Sequence, residues 1–255
     1  TNIEETSALN DGDTFEATVG ETTFKVKVLS TADKTCQIGA DKTGANGSMV
    51  GSDAIVSGSR NWDGVIPSKV TGSDGQEYTV IGIGNRAFKE YGSITTVILP
   101  NTLQYISEGA FMRMESLMYF TIPAGLKTVG GLFFNGQEIL TEVVSMIEDP
   151  DVINDIDIDC GGRYGNNATL VVPAGTKSIY QNADGWNHFQ RIVEMKIGDA
   201  NGEGTVDLQD VEIVKDFIMT GRIPEGFVRH NADTNGDKKF NVADIVNIVN
   251  KIPTE

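Results

Sequence analysis

The sequence predicts an α/β repeat solenoid on a parallel β-sheet, with a β cap before it and a small all-α module after it. Three observations carry this. Apolar positions in the middle of the chain return every 23 residues, at Ile83, Ile106 and Val129 and again at Phe88, Phe111 and Phe134. Residues 14–29 instead alternate apolar and polar on both sides of Gly20-Glu21. Near the C-terminus, two acidic loops lie 34 residues apart, and each runs into a helical pattern. A chain of 255 residues with 39% hydrophobic side chains has room for such an arrangement around real cores.

The N-terminal element is justified first. TFEATVGETTFKVKVL reads as a β-hairpin, because period-two alternation flanks a turn-forming glycine. Lys34–Ile38 reads as a further strand, and Ala54-Ile55-Val56 as a short one inside a loop rich in Gly, Ser, Asn and Asp over 39–62. A solenoid exposes apolar ends that need covers, so residues 1–62 are expected to cap the repeats. The two cysteines, Cys36 and Cys160, lack CxxC spacing. They read as unlinked thiols, with a long-range bridge as the alternative.

The repeats occupy residues 63–195. Val65-Ile66-Pro67, Ile98-Leu99-Pro100, Thr121-Ile122-Pro123, Val144-Ser145-Met146 and Leu170–Pro173 read as strands of about five rungs. Between Pro67 and Phe88, TGSDGQEYTV reads as an inserted hairpin. A single rung cannot bury its apolar face alone, so Phe88, Phe111 and Phe134 are expected to ladder through the core. Gly82-Ile83-Gly84-Asn85-Arg86-Ala87 fits a dinucleotide fingerprint, but the same slot at Ile106–Phe111 lacks those glycines and no βαβ unit follows. These residues read as repeat. The I-x-x-x-A-F pattern, the I-x-P strands and the 23-residue step resemble the BspA-type leucine-rich repeat; the copy at Val129–Phe134 departs from it at Leu132-Phe133. Residues 170–195 resemble the closing segment of such proteins from Bacteroides-like bacteria, with Trp186 and Phe189 closing the second end. The resemblance implies a leucine-rich-repeat solenoid on a secreted or cell-surface protein that binds an extracellular protein or glycan and catalyses nothing.

The acidic loops come last. Counted from Asp199, side-chain oxygens fall at positions 1, 3, 5, 9 and 12: Asp199, Asn201, Glu203, Asp207 and Asp210, with Gly204 at position 6 and the Thr205 carbonyl at 7. From Asp233 the same positions hold Asp233, Asn235, Asp237, Asn241 and Asp244, with Lys239 at 7. This is EF-hand-type spacing, suited to a hard cation that takes six to eight oxygens. Two Ca²⁺ ions are therefore expected. Leu208, Val211, Val214 and Phe217, and then Val242, Ile245, Val246, Val249 and Ile252, follow at helical spacing. No helix pattern precedes Asp199, and Asp rather than Glu stands at position 12. The duplicated loop-then-helix unit over 197–255 resembles a type I dockerin. That resemblance implies the ligands Asp199, Asn201, Glu203, Thr205 and Asp210, then Asp233, Asn235, Asp237, Lys239 and Asp244, with Asp207 and Asn241 acting through water. It implies a cohesin partner contacted at Leu208, Gln209, Val242 and Ala243. These four are more apolar than the familiar hydroxyl pairs, so packing in cis on the repeats, as a calcium-stabilised cap, is the alternative. Lys238 stands where the first loop has Gly204, at a position favouring a left-handed backbone.

Asp155–Asp159 also alternates carboxylates, but Ile156 and Ile158 fill the turn positions, so an edge strand with a charged face is expected. A net charge of −16 argues against nucleic acid and anionic membranes. No stretch has the length of a transmembrane segment, and no signal segment is seen. GxSxG, HExxH and Walker motifs are absent, and His188 and His230 stand alone. The expectation is a secreted monomer that is not an enzyme.

Overall fold

Successive strands of the repeat feed two sheets in turn, and this alternation is what winds the chain into a solenoid. The computed structural model describes residues 8–41, 54–58, 62–132, 135–137, 139–156, 158 and 168–253. Strands β1 (Thr14–Val19) and β2 (Thr22–Ser30) form the expected hairpin, turned at Gly20 with φ of 60°. Strands β3 (Thr35–Ile38) and β4 (Ile55–Ser57) add antiparallel to β2. The inserted hairpin is β5 (Lys69–Thr71) with β6 (Glu77–Ile83). The rungs continue through β7 (Thr96–Ile98), β8 (Tyr105–Ile106), β9 (Tyr119–Ile122), β10 (Thr128–Val129) and β11 (Glu142–Ser145). Helix α1 (Pro150–Asp155), β12 (Thr169–Val172), helix α2 (Lys177–Asn182) and β13 (Arg191–Glu194) complete them.

One sheet runs β7-β9-β11-β12-β13 and is parallel throughout, extended by a single bridge from Ile98 to Val65. The other runs β1-β2-β3-β6-β8-β10, so the N-terminal hairpin and the back of the rungs share one sheet. Strand β13 is a rung strand that the sequence reading did not place, because the irregular turn and α2 before it break the period. Between the sheets, Phe88 and Phe111 are buried and stacked, with centroids 5.4 Å apart, and Trp62 stacks on Phe88 at 4.8 Å. Phe134 lies outside the described residues, as does Cys160; Cys36 is buried in β3. At the far end, the buried Trp186 donates its indole N–H to Ile153 O and meets Tyr180 edge-on at 4.8 Å.

Two expectations are settled by packing. Asp155, Ile156 and Ile158, the described residues of the segment expected as an edge strand, do not form one. Asp149 caps α1 by accepting from Asp151 N, Pro150 opens the helix, and Asp155 ends it. Ile156 and Ile158 then turn into the core. Gly82 is a packing glycine, since a Cβ there would sit 2.0 Å from Tyr105 Cζ of the next rung.

After β13 come α3 (Leu208–Thr220), α4 (Arg229–Ala232) and α5 (Val242–Val249). Helices α3 and α5 enclose a core of Val214, Phe227, Ala232 and Ile248, with Phe217 and Phe240 packed against it. No helix among the described residues is long and apolar enough to cross a membrane.

Candidate metal loops and the covered sheet

Each acidic loop is drawn tight by its own carboxylates. In the first, Asp199 accepts from Glu203 N at 3.1 Å and Gly204 N at 2.9 Å. Asp210 accepts from Asn201 N at 3.0 Å and Asp207 N at 2.8 Å. In the second, Asp233 accepts from Lys238 N at 2.9 Å, and Asp244 accepts from Thr234 N and Asn241 N, both at 3.0 Å. The position-3 amides do the same, with Asn201 Oδ1 taking Glu203 N and Asn235 Oδ1 taking Asp237 N, both at 3.0 Å. Position 5 differs. Glu203 is exposed and accepts from the Thr205 hydroxyl at 2.6 Å, whereas Asp237 accepts from Lys239 N at 2.8 Å. Asp207 and Asn241 cap α3 and α5, accepting from Gln209 N and Ala243 N.

This chemistry fits a cation. Asp199, Asp210 and Asp244 are buried carboxylates. Burial pushes Asp199 up, and repulsion from Asp210 adds to it; Asp210 is pushed up by burial first and by Asp207 as well. Asp233 Oδ1 is buried and has no hydrogen-bond partner among the described residues. An orphaned carboxylate oxygen in such a ring is what a bound hard cation satisfies. Among the described residues, no three His, Cys, Asp or Glu side chains form a ready metal cluster. The loops instead mix acids with Asn side chains and backbone carbonyls.

A second feature was not foreseen, and it concerns the outer face of the five-stranded sheet. Strand register places Thr96, Tyr119, Glu142, Thr169 and Arg191 in one row. The row beside it holds Ile98, Thr121, Val144, Val171 and Val193. On β7 and β9 these positions are half-exposed; β11 and β12 are buried at every residue. What covers them is the C-terminal module. Val228 packs on Val144, Val171 and Val193. Glu142 accepts from Arg229 N at 2.7 Å and His230 N at 3.0 Å. Burial nonetheless pushes the Glu142 carboxyl up to about 7, against those two bonds and the charges of Arg229 and Arg191. Arg191 donates to Gly226 O and to Asn201 O, and Asn231 joins Lys196 N to Glu194 O. Arg229 lies over Tyr119 of the sheet at 4.4 Å and over Phe240 of the module at 4.8 Å.

Leu208, Gln209, Val242 and Ala243 stand at the starts of α3 and α5 and are exposed. Leu208 and Val242 are 67% and 68% exposed, with Val246 and Val249 open on the same helix as Val242. Sequence reasoning missed Glu142, Arg191, Val228 and Asn231. One signal was available: Glu142-Val143-Val144, Leu170-Val171-Val172 and Ile192-Val193 do not alternate, the mark of a sheet buried on both faces.

Comparison with known proteins finds two matched regions. Residues 77–183 match the BspA type leucine-rich repeat region in six copies, and residues 197–253 match the dockerin type I domain. No curated protein matches the chain. Three solved structures are similar in part. A leucine-rich cell surface protein from Faecalibacterium prausnitzii is 24% identical over 63% of this chain and 37% of its own, with a TM-score of 0.36. A leucine-rich repeat protein from Bacteroides ovatus is 17% identical over 69% and 40%, with a TM-score of 0.35. The pneumococcal vaccine antigen PcpA is 15% identical over 74% and 50%, with a TM-score of 0.35. The chain thus spans half or less of the length of each of these proteins. The chain therefore joins a region that matches the BspA type leucine-rich repeat to a C-terminal region that matches the dockerin type I domain.

Proposed function

We propose that the chain is a non-catalytic binding protein of the cell exterior, whose repeats contact a protein or glycan while a dockerin tail holding two calcium ions docks to a cohesin. The reading adopts 1–62 as cap, 63–195 as repeats and 197–255 as tail. In each loop the residues at positions 1, 3, 5, 7 and 12 would hold the ion: Asp199, Asn201, Glu203, Thr205 and Asp210, then Asp233, Asn235, Asp237, Lys239 and Asp244. Asp207 and Asn241 would contribute through water while capping their helices. Calcium supplies charge compensation and no chemistry; the chain's acids and carbonyls orient the loops. Dockerin domains generally bind cohesins, and both matched families are typically binding modules.

The observation that carries the reading is the exposure of Leu208, Gln209, Val242 and Ala243 at the starts of the two tail helices. An apolar pair left open at two duplicated helix starts suits a partner surface. Calorimetric titration of calcium into chelated protein, followed by cohesin binding, tests it. Two calcium ions and calcium-dependent cohesin binding are expected, with binding lost in Leu208→Asp/Val242→Asp. Calcium uptake with no cohesin binding would favour a second reading, in which the tail is a calcium-stabilised cap in cis. That reading draws on the Glu142 and Arg191 contacts.

A further inference from the structure

The duplicated loops have different surroundings. The first leans on β13 and the residues after it. Arg191 Nη1 donates to Gly226 O at 2.9 Å and its Nη2 to Asn201 O, while Lys196 Nζ donates to Gly204 O. Gly202, between those two loop residues, is pressed against the same strand: a Cβ there would lie 2.7 Å from Arg191 Nη2 and 2.9 Å from Val193 Cγ1. The equivalent Gly236 of the second loop meets nothing within 4 Å, and residues 235–239 are exposed. Arg191 also feels the charges of both Asp199 and Glu142. One side chain of the repeat sheet therefore bonds the backbone of the first loop and of the segment before α4, within the field of acids on both sides.

We propose that the first loop is a calcium site shared between the two domains, with Arg191 of the repeat domain and Lys196 at the junction as positioning residues that hold its backbone in the loaded geometry. Filling this loop and seating the tail on Val144, Val171 and Val193 are then one linked equilibrium. The second loop fills independently. The inference rests on the calcium reading above and adds to it that the two sites are unequal and that the repeats complete one of them. Linkage is reciprocal: whatever unseats the tail weakens the first site, and whatever empties the first site loosens the seat.

The test uses the full chain, stripped by chelation and titrated with Ca²⁺ by calorimetry. Asp199→Asn and Asp233→Asn assign the two binding steps to their loops. Val171→Asp places a charge under Val228, on a sheet residue outside both loops. Arg191→Ala removes the clamp. Both are expected to weaken the first-loop step on the order of tenfold and to leave the second unchanged, with Arg191→Lys intermediate. Far-ultraviolet dichroism checks that the repeats remain folded. If Val171→Asp fails that check, Arg191→Ala and Arg191→Lys decide alone. An unchanged first-loop affinity in Arg191→Ala overturns the proposal, and so does equal weakening of both loops, which marks a general loss of tail stability. A wild-type chain that takes up no calcium sinks the calcium reading itself, a result distinct from two sites indifferent to Arg191.

Discussion

One backbone torsion distinguishes the two loops at position 6. Gly204 sits at φ of 99° and Lys238 at 63°, both in the left-handed region. For lysine this costs about 1 kcal/mol that glycine avoids. Lys238→Gly is therefore expected to tighten the second site about fivefold without moving the first, as read by calcium titration. The sequence carried this strain openly, since the twin loop has glycine at that slot. Position 4 makes a sharper contrast. Gly202→Ala adds a Cβ at φ of 67° into Arg191 and Val193, whereas Gly236→Ala at 72° meets open space. The first should lower tail stability by about 2 kcal/mol or more, the second by about 1 kcal/mol, measured by denaturant melts in calcium. Nothing in the sequence separates these two glycines, because what distinguishes them is a strand that reaches the first loop through the fold.

The alternating segments were legible as elements because period and burial agree in them. The hairpin β1–β2 and the inserted hairpin β5–β6 bury every second residue along most of their length, as their sequences predict. Phe88 and Phe111 were legible as core by spacing alone. Phe111→Ala should cost about 3–5 kcal/mol, since it opens a cavity under the stacked Phe88 ring; the denaturation midpoint of the repeats reads it. Strand β13 and helix α1 were not legible, one hidden by an irregular turn and the other by acids that mimic an edge strand. Strand β11 carries a consequence in pH. The Glu142 carboxyl, ordinarily near 4.5, is raised to about 7 by burial beneath the tail. The folded state then holds a proton that the unfolded chain releases between those values. Stability from this group is fully present below about 4.5 and is lost as pH rises through about 7, by at most about 3 kcal/mol. With calcium saturating, melting should fall between pH 5.5 and 8, and Glu142→Gln should flatten that slope and be the more stable form at pH 8.

At the scale of the molecule, two matched regions read from local spacing turn out to share a contact, and spacing says nothing about contacts. The loops and repeats were each recognisable because they are internally periodic. The seat depends instead on residues brought together from four strands, Tyr119, Glu142, Val144, Val171, Arg191 and Val193. This arrangement gives the sheet two unlike ends. Strands β11, β12 and β13 are committed to the tail, β9 meets it at Tyr119 under Arg229, and the sheet is half-exposed toward β7. Growth of the repeat can therefore happen on one side only. Inserting one 23-residue unit between β7 and β9 should widen the outward face by one strand spacing, about 4.8 Å, and leave the tail, its loops and its footing where they are. A lineage of such chains could change its reach by whole rungs while every member kept the same attachment, as copies of one handle fitted to blades of different length.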